Sequence, residues 1–230
     1  MVEADASCSH RTIHSMRTIV VLVASAAAAV LLAGCGGSDS SDSTKSAAGG
    51  GSGPCTYTST GDAAKKVSLP PSEPDPAQSL TITTNRGAIA VKLNDKATPC
   101  TVNSFTSLAK QGFFDQTKCH RLTTEGIFVL QCGDPTASGS GGPGYAFPDE
   151  LTGQESYPAG TLAMANAGPD TNGSQFFLVY ADTGLPPSYT VFGTFGASSI
   201  KVVQDIAKAG TADGGGDGAP KSDVVISSVK

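Results

Sequence analysis

One arginine stands among side chains that could make use of it. Arg121 is followed by the run Phe128-Val129-Leu130-Gln131, and a later run carries Ala165-Asn166 and Gln175-Phe176-Phe177. A guanidinium is permanently charged and offers several donors in a rigid plane. Beside apolar walls it can bind and polarise a neutral group with no proton transfer. Each residue taken singly has a plainer use: arginines form surface ion pairs, phenylalanines fill cores, and Asn or Gln satisfies loop backbone. Alternation along a strand sends the adjacent Phe176 and Phe177 to opposite faces, so one is core and the other can line a groove. By the same rule His120 points away from Arg121 and is expected to be a buried structural histidine.

Other chemistries have little to work with. The histidines are His10, His14 and His120, and the first two precede a segment expected to be removed. A zinc site built from two or three imidazoles is therefore not expected, and no H-E-x-x-H, G-x-S-x-G or phosphate-binding glycine loop occurs. Neither a metal nor another cofactor is expected. The net charge of −5 gives no basic excess for phosphates, which argues against a nucleic-acid partner.

The elements that must position these residues begin after an export signal. Arg11 and Arg17 precede an apolar run from Thr18 to Gly34, and Leu32-Ala33-Gly34-Cys35 looks like a bacterial lipobox. The expected domains are thus a signal peptide at 1–34, a lipidated Cys35 with a Gly/Ser- and Pro-rich tether to 77, and one folded domain at 78–230. The alternative is an uncleaved membrane helix. Both put the domain outside the cytoplasm, held to the membrane. Met16 is a second candidate start.

From Leu80 short strands and turn signals appear. Strands are expected at 80–84 and 88–93 around Asn85-Arg86-Gly87, then at 117–123, 127–132, 160–165, 174–180, 190–195 and 222–229. Thr98-Pro99 offers an N-cap and a first helical position, and Val102, Phe105, Leu108 and Ala109 follow at helical spacing until Gly112. A second helix is expected at about 198–208. Many strands with one early and one late helix argue for a closed or nearly closed antiparallel barrel capped by helices.

The residues become specific in Cys119-His120-Arg121-Leu122, in Phe128-Val129-Leu130-Gln131-Cys132-Gly133-Asp134, and in the run from Met164 to Phe177, MANAGPDTNGSQFF. Over about residues 78–230 the chain resembles the cyclophilins, a family of peptidyl-prolyl cis-trans isomerases. The resemblance implies a mainly-β fold, an eight-stranded antiparallel barrel capped by two helices, with a groove on the outer face of the sheet. It implies Arg121 as the catalytic arginine, with Phe128 and Gln131 as further catalytic-site groups. Phe128, Val129, Phe177 and Leu185 would wall a proline pocket, with Tyr189 closing it. Gln175 would stand beside the arginine, and Ala165 and Asn166 would pair with substrate backbone. Proline-containing polypeptides would be the substrates and a monomer the working form.

Three departures stand out. Two extra residues lie between Arg121 and Phe128, which changes the turn into the pocket. Gly184 falls where many eukaryotic members carry Trp, which lowers the expectation of tight cyclosporin binding. Tyr189 falls where many carry His, which exchanges one ring for another.

Rotation about an X-Pro bond is slow because amide resonance sets a barrier of ~18–20 kcal/mol. In the twisted transition state the prolyl nitrogen regains a lone pair, and a donor aimed at it favours that state over either planar one. A binding module that holds proline segments without catalysis is the alternative.

Cys55, Cys100, Cys119 and Cys132 remain after the signal and anchor, an even set that permits three connectivities or four free thiols. Cys119 and Cys132 fall on successive strands, which favours their pairing and leaves Cys55 for Cys100.

Overall fold

The computed structural model describes residues 53–75 and 77–230. The signal peptide, Cys35 and the first part of the tether lie outside the described residues. Among those described, no helix is long and apolar enough to cross a membrane.

The chain runs through β1 (Thr58–Ser59), β2 (Ser79–Thr84), β3 (Gly87–Leu93), α1 (Pro99–Lys110), β4 (Thr117–Lys118), β5 (Arg121–Thr123), β6 (Val129–Cys132) and β7 (Tyr145–Ala146). It continues through β8 (Thr161–Met164), β9 (Phe176–Val179), β10 (Val191–Phe195), α2 (Ala197–Ala207), β11 (Asp217–Gly218) and β12 (Val225–Val229). Ten of the strands make one curled antiparallel sheet in the order β11-β5-β6-β9-β8-β10-β3-β2-β12-β4. β4, at one end, and β5, next to the other end, are consecutive parts of the single run 117–123. Cys119 donates its amide to Val224 on the β12 side, and His120 donates to Gln131 on the β6 side. The mainly-β architecture with two helices is present as expected, the sheet curling into a half-barrel with β11 as an additional edge strand.

β2 and β3 form the expected hairpin, with Thr84 opposite Gly87 and Ile82 opposite Ile89. Ile89, Val91 and Leu93 are buried while Ala88, Ala90 and Lys92 are exposed, the period of two that a one-sided strand requires. Helix α1 buries Val102, Phe105, Leu108 and Ala109. Phe105 sits at the centre of the core, its ring 5.0 Å from Phe114, 5.3 Å from Phe176 and 5.1 Å from Phe192. The start of α1 departs from expectation. The Thr98 side chain makes no cap and instead donates to Asn94 O. The Glu150 carboxylate, far along the chain, accepts the Cys100 and Thr101 amides at 3.0 and 2.8 Å. A carboxylate at a helix N-terminus satisfies orphan donors and complements the dipole.

The stretch from 55 to 75 is not a free tether. Cys55 is bonded to Cys100. The Tyr57 hydroxyl donates to Cys100 O, and Asn103 donates to both Tyr57 and Pro71. β1 pairs with β7, and the Lys65 ammonium donates to the carbonyls of Gly112 and Asp115 just past α1. The folded domain thus begins near Cys55 rather than at 78. Composition hides this, because the segment carries few large apolar residues and no repeating pattern, and its order derives from a crosslink and from partners distant in sequence.

Candidate active site

The outer face of the sheet is assembled by register. Arg121 lies opposite Gln131, Gln131 opposite Phe177, Phe177 opposite Ala163, and Ala163 opposite Val191. Directly opposed residues share a face, so five strands present one row: an arginine, an amide, a ring and two small apolar side chains. The neighbouring positions Leu122, Leu130, Phe176, Leu178 and Leu162 take the other face and fill the main core.

Around the row lies a second apolar cluster, with Val129, Tyr157, Ala163, Phe177 and Val179 buried and Ile127, Ala165, Leu185, Tyr189 and Val191 partly covered. Tyr189 stands edge-on to Phe177 at 5.5 Å, and Tyr157 lies 6.2 Å from the same ring. Tyr157 and Tyr189 are also joined by hydrogen bonds in both directions: the Tyr157 hydroxyl donates to Tyr189 O and accepts the Tyr189 amide. The result is an apolar surface with an aromatic floor, the slot, in the same row as the guanidinium.

Most expected site residues meet here, but Phe128 does not belong to the slot cluster. It packs on the main core, 6.0 Å from the Tyr180 ring. Val129 and Gln131 face outward, Ile127 packs on the same outer cluster, and Phe128 is half-buried against the main core. Ile127 and Tyr157 were missed. No local pattern marks Tyr157, which arrives through a lone bridge to Thr183. At the rim, Gly184 meets nothing within 4 Å, so the slot is open where a large ring could stand.

A chain of amides steadies the polar end. Gln131 donates to Gln175 at 2.9 Å, and Gln175 donates to the carbonyls of Gly139 and Gly141. Those carbonyls belong to a loop wrapped around Asp134, whose carboxylate accepts the amides of Thr136, Ser138, Gly139 and Gly141. Burial pushes this carboxyl up, but the donors outweigh it and hold it at about 2. His120, half-buried beside Gly139, is kept from charging mainly by desolvation, and its ring nitrogens find no partner among the described residues. It stays out of the slot.

Beside Gln131 and Gln175 a cleft of about 580 Å³ opens, lined also by Ala165, Asn166 and, from the N-terminal segment, Thr60 and Asp62. The Asn166 side chain donates to Ser188 O and so braces the 185–189 loop. Its own amide and carbonyl have no backbone partner among the described residues, which leaves an edge on which an extended peptide could pair.

Arg121 itself donates Nε and Nη2 to the two oxygens of Asp217 at 2.8 and 2.7 Å, and Nη1 to Gln131 at 3.3 Å. The hydrogen bond to Asp217 holds the arginine even more firmly protonated, while Arg121 pulls the Asp217 carboxyl below its ordinary range. Asp217 was not foreseen. Among the described residues no cluster of three metal-ligating side chains occurs.

A curled antiparallel sheet with two helices, carrying an arginine, two glutamines and an aromatic slot on its outer face, defines the cyclophilin class. The chain belongs to that family: the model described as cyclophilin type peptidyl-prolyl cis-trans isomerase/CLD matches residues 79–230. It is similar to a probable peptidyl-prolyl cis-trans isomerase B of Mycobacterium tuberculosis, with 53% identity over 193 residues, covering 76% of this chain and 63% of that protein. The Mycobacterium leprae counterpart is 50% identical over 194 residues, covering 76% and 66%. The chain thus spans about two thirds of the length of these curated relatives. Among solved structures, a cyclophilin-type isomerase of Cryptosporidium parvum superposes with a TM-score of 0.58 at 28% identity, covering 66% of this chain and 95% of that one. A crystal structure of that same protein was determined in the presence of the dipeptide Ala-Pro.

Proposed function

We propose that this chain catalyses cis-trans rotation about X-Pro bonds in exported polypeptides, from a lipid anchor on the extracytoplasmic side of the membrane. The observation that carries the reaction is the row Arg121, Gln131, Phe177, in which one charged donor faces an apolar slot across two strands. The slot of Phe177, Val129, Ile127, Leu185 and Tyr189 suits a pyrrolidine ring. Substrate backbone pairs along Ala165-Asn166. Arg121 donates to the prolyl nitrogen as the amide twists, an interaction that the planar forms lack. Lowering the barrier by roughly 6–8 kcal/mol gives about four to six decades in rate. One charge-assisted hydrogen bond supplies part of that, and orientation in a partly dry groove supplies the rest.

The location rests on the lipobox at Cys35, and the two disulfides support it, since such bonds persist in oxidising compartments. Incorporation of labelled fatty acid that is lost in Cys35→Ala checks the anchor, and sedimentation of the soluble domain checks the expected monomer.

The decisive experiment is exchange NMR on a short proline peptide with the domain from residue 55. Arg121→Ala is expected to lower the rate by roughly a hundredfold while the peptide still binds. Full activity in that variant refutes the mechanism. Peptide binding with no rotation by the unaltered domain makes the chain a proline-binding module.

A further inference from the structure

The carboxylate at Arg121 is delivered by backbone. In β11, Asp217 lies opposite Thr123 and Gly218 opposite Leu122. Thr123 and Arg121 share a face of β5, so Asp217 reaches Arg121 as its diagonal neighbour. The approach is held further by the Thr124 amide, which donates to Gly216 O at 2.8 Å. The turn before it is fixed by the Thr211 hydroxyl donating to Gly215 O and the Gly215 amide donating to Asp213. A Cβ on Gly216 would stand 2.8 to 2.9 Å from Glu125 side-chain atoms, so a larger residue there would have to push that side chain aside. The segment 122–124 and the 211–218 turn are thus held together, and the turn presents a two-pronged grip on the guanidinium.

Stability does not account for that grip. The two side chains are 39% and 54% exposed, and pairs so open to water add little to folding. Its effect is geometric. A guanidinium has five N–H donors; Asp217 takes two, Gln131 takes one, and one on each Nη is left unspent. Without Asp217 the one side-chain hydrogen bond left to the guanidinium among the described residues is the 3.3 Å contact to Gln131, and the group would be freer to swing.

We propose that Asp217 is a positioning residue for the isomerase: it clamps Arg121 by the Nε–Nη2 edge so that the unspent donors stay aimed at the peptide held over Phe177. This rests on the role of Arg121 given above. Asp217→Ala is expected to lower kcat by roughly tenfold with KM little changed, since misaimed donors cost transition-state rather than ground-state binding. The melting temperature is expected to stay where it was. Asp217→Glu should recover part of the rate. In an Arg121→Ala background, Asp217→Ala should change nothing further. The Arg121 Nε–H resonance, protected in the unaltered protein, should broaden in Asp217→Ala.

Undiminished or faster rotation in Asp217→Ala overturns the proposal, as does an added loss in the Arg121→Ala background. If Arg121→Ala alone keeps full activity, the failure lies with the proposed mechanism. If Arg121→Ala is inactive and Asp217→Ala is normal, only the clamp is refuted.

Discussion

Protonating or replacing Asp134 should loosen the domain and blunt the active site together. This carboxylate is fully buried and accepts Thr136 N and Oγ at one oxygen and Ser138, Gly139 and Gly141 amides at the other. Its pKa is held at about 2 against an ordinary 3.8. A folded value below the unfolded one contributes stability that is complete above the unfolded pKa and lost as pH falls through the folded one. A shift of nearly two units at 1.36 kcal/mol each corresponds to about 2 kcal/mol, removed between roughly pH 5 and pH 1. Asp134→Asn loses it at every pH, and more, because one amide NH2 then faces donors; about 2–3 kcal/mol at pH 7 is expected. Urea unfolding from pH 7 to pH 2.5 measures both effects. The difference between the two proteins should shrink as pH falls. Because Gly139 and Gly141 carbonyls hold Gln175, which holds Gln131 beside Arg121, rotation should slow in the variant as well. Parallel pH profiles for the two proteins would refute the assignment of that acid stability to Asp134.

Replacing Cys55 and Cys100 with Ser opens a crosslink of sequence separation 45. The chain-entropy estimate is a loss of up to about 4 kcal/mol, read by urea denaturation, with limited proteolysis cutting first between 55 and 75. Gly133→Ala should fail to fold or lose at least about 3 kcal/mol, since its Cβ would lie 2.2 Å from Ser174 O at a φ of +94°. Thermal melting checks this, and a near-normal midpoint would mean that the Gln131 and Gln175 strands can separate without cost.

The legible part of this protein was whatever repeats locally. Ile89, Val91 and Leu93 announce a one-sided strand, Val102, Phe105 and Leu108 a helix face, and Asn85-Arg86-Gly87 a turn, and each element is present. The family motifs brought Arg121, Gln131, Gln175, Phe177 and Tyr189 to one place. What escaped was long-range and short in extent. β1, β7 and β11 have two residues each and no period to detect. Glu150 caps a helix about fifty residues away, and Asp217 reaches Arg121 across almost a hundred. The contacts of Phe128 were open for a different reason. Motif matching aligns residue types, whereas the face a side chain takes is set by the register of its strand, and a two-residue insertion just before it leaves that register open.

Register is also what joins the disulfide to the site. Because the side-chain period of a strand is two, slipping β5 by one residue against β6 would turn Arg121 into the core and bring Leu122 out. Ladder hydrogen bonds alone resist this weakly here, since β5 has three residues and β6 four. Cys119 and Cys132 are bonded on the buried face, next to the pair Arg121 and Gln131 on the exposed one. A crosslink at that point forbids the slip from inside the core, while Asp217 and Gln131 hold the guanidinium from outside. The backbone under Arg121 is thereby fixed by a covalent bond and its tip by hydrogen bonds. That division of labour suits the role proposed for Arg121, which is to hold donors still while a substrate amide turns.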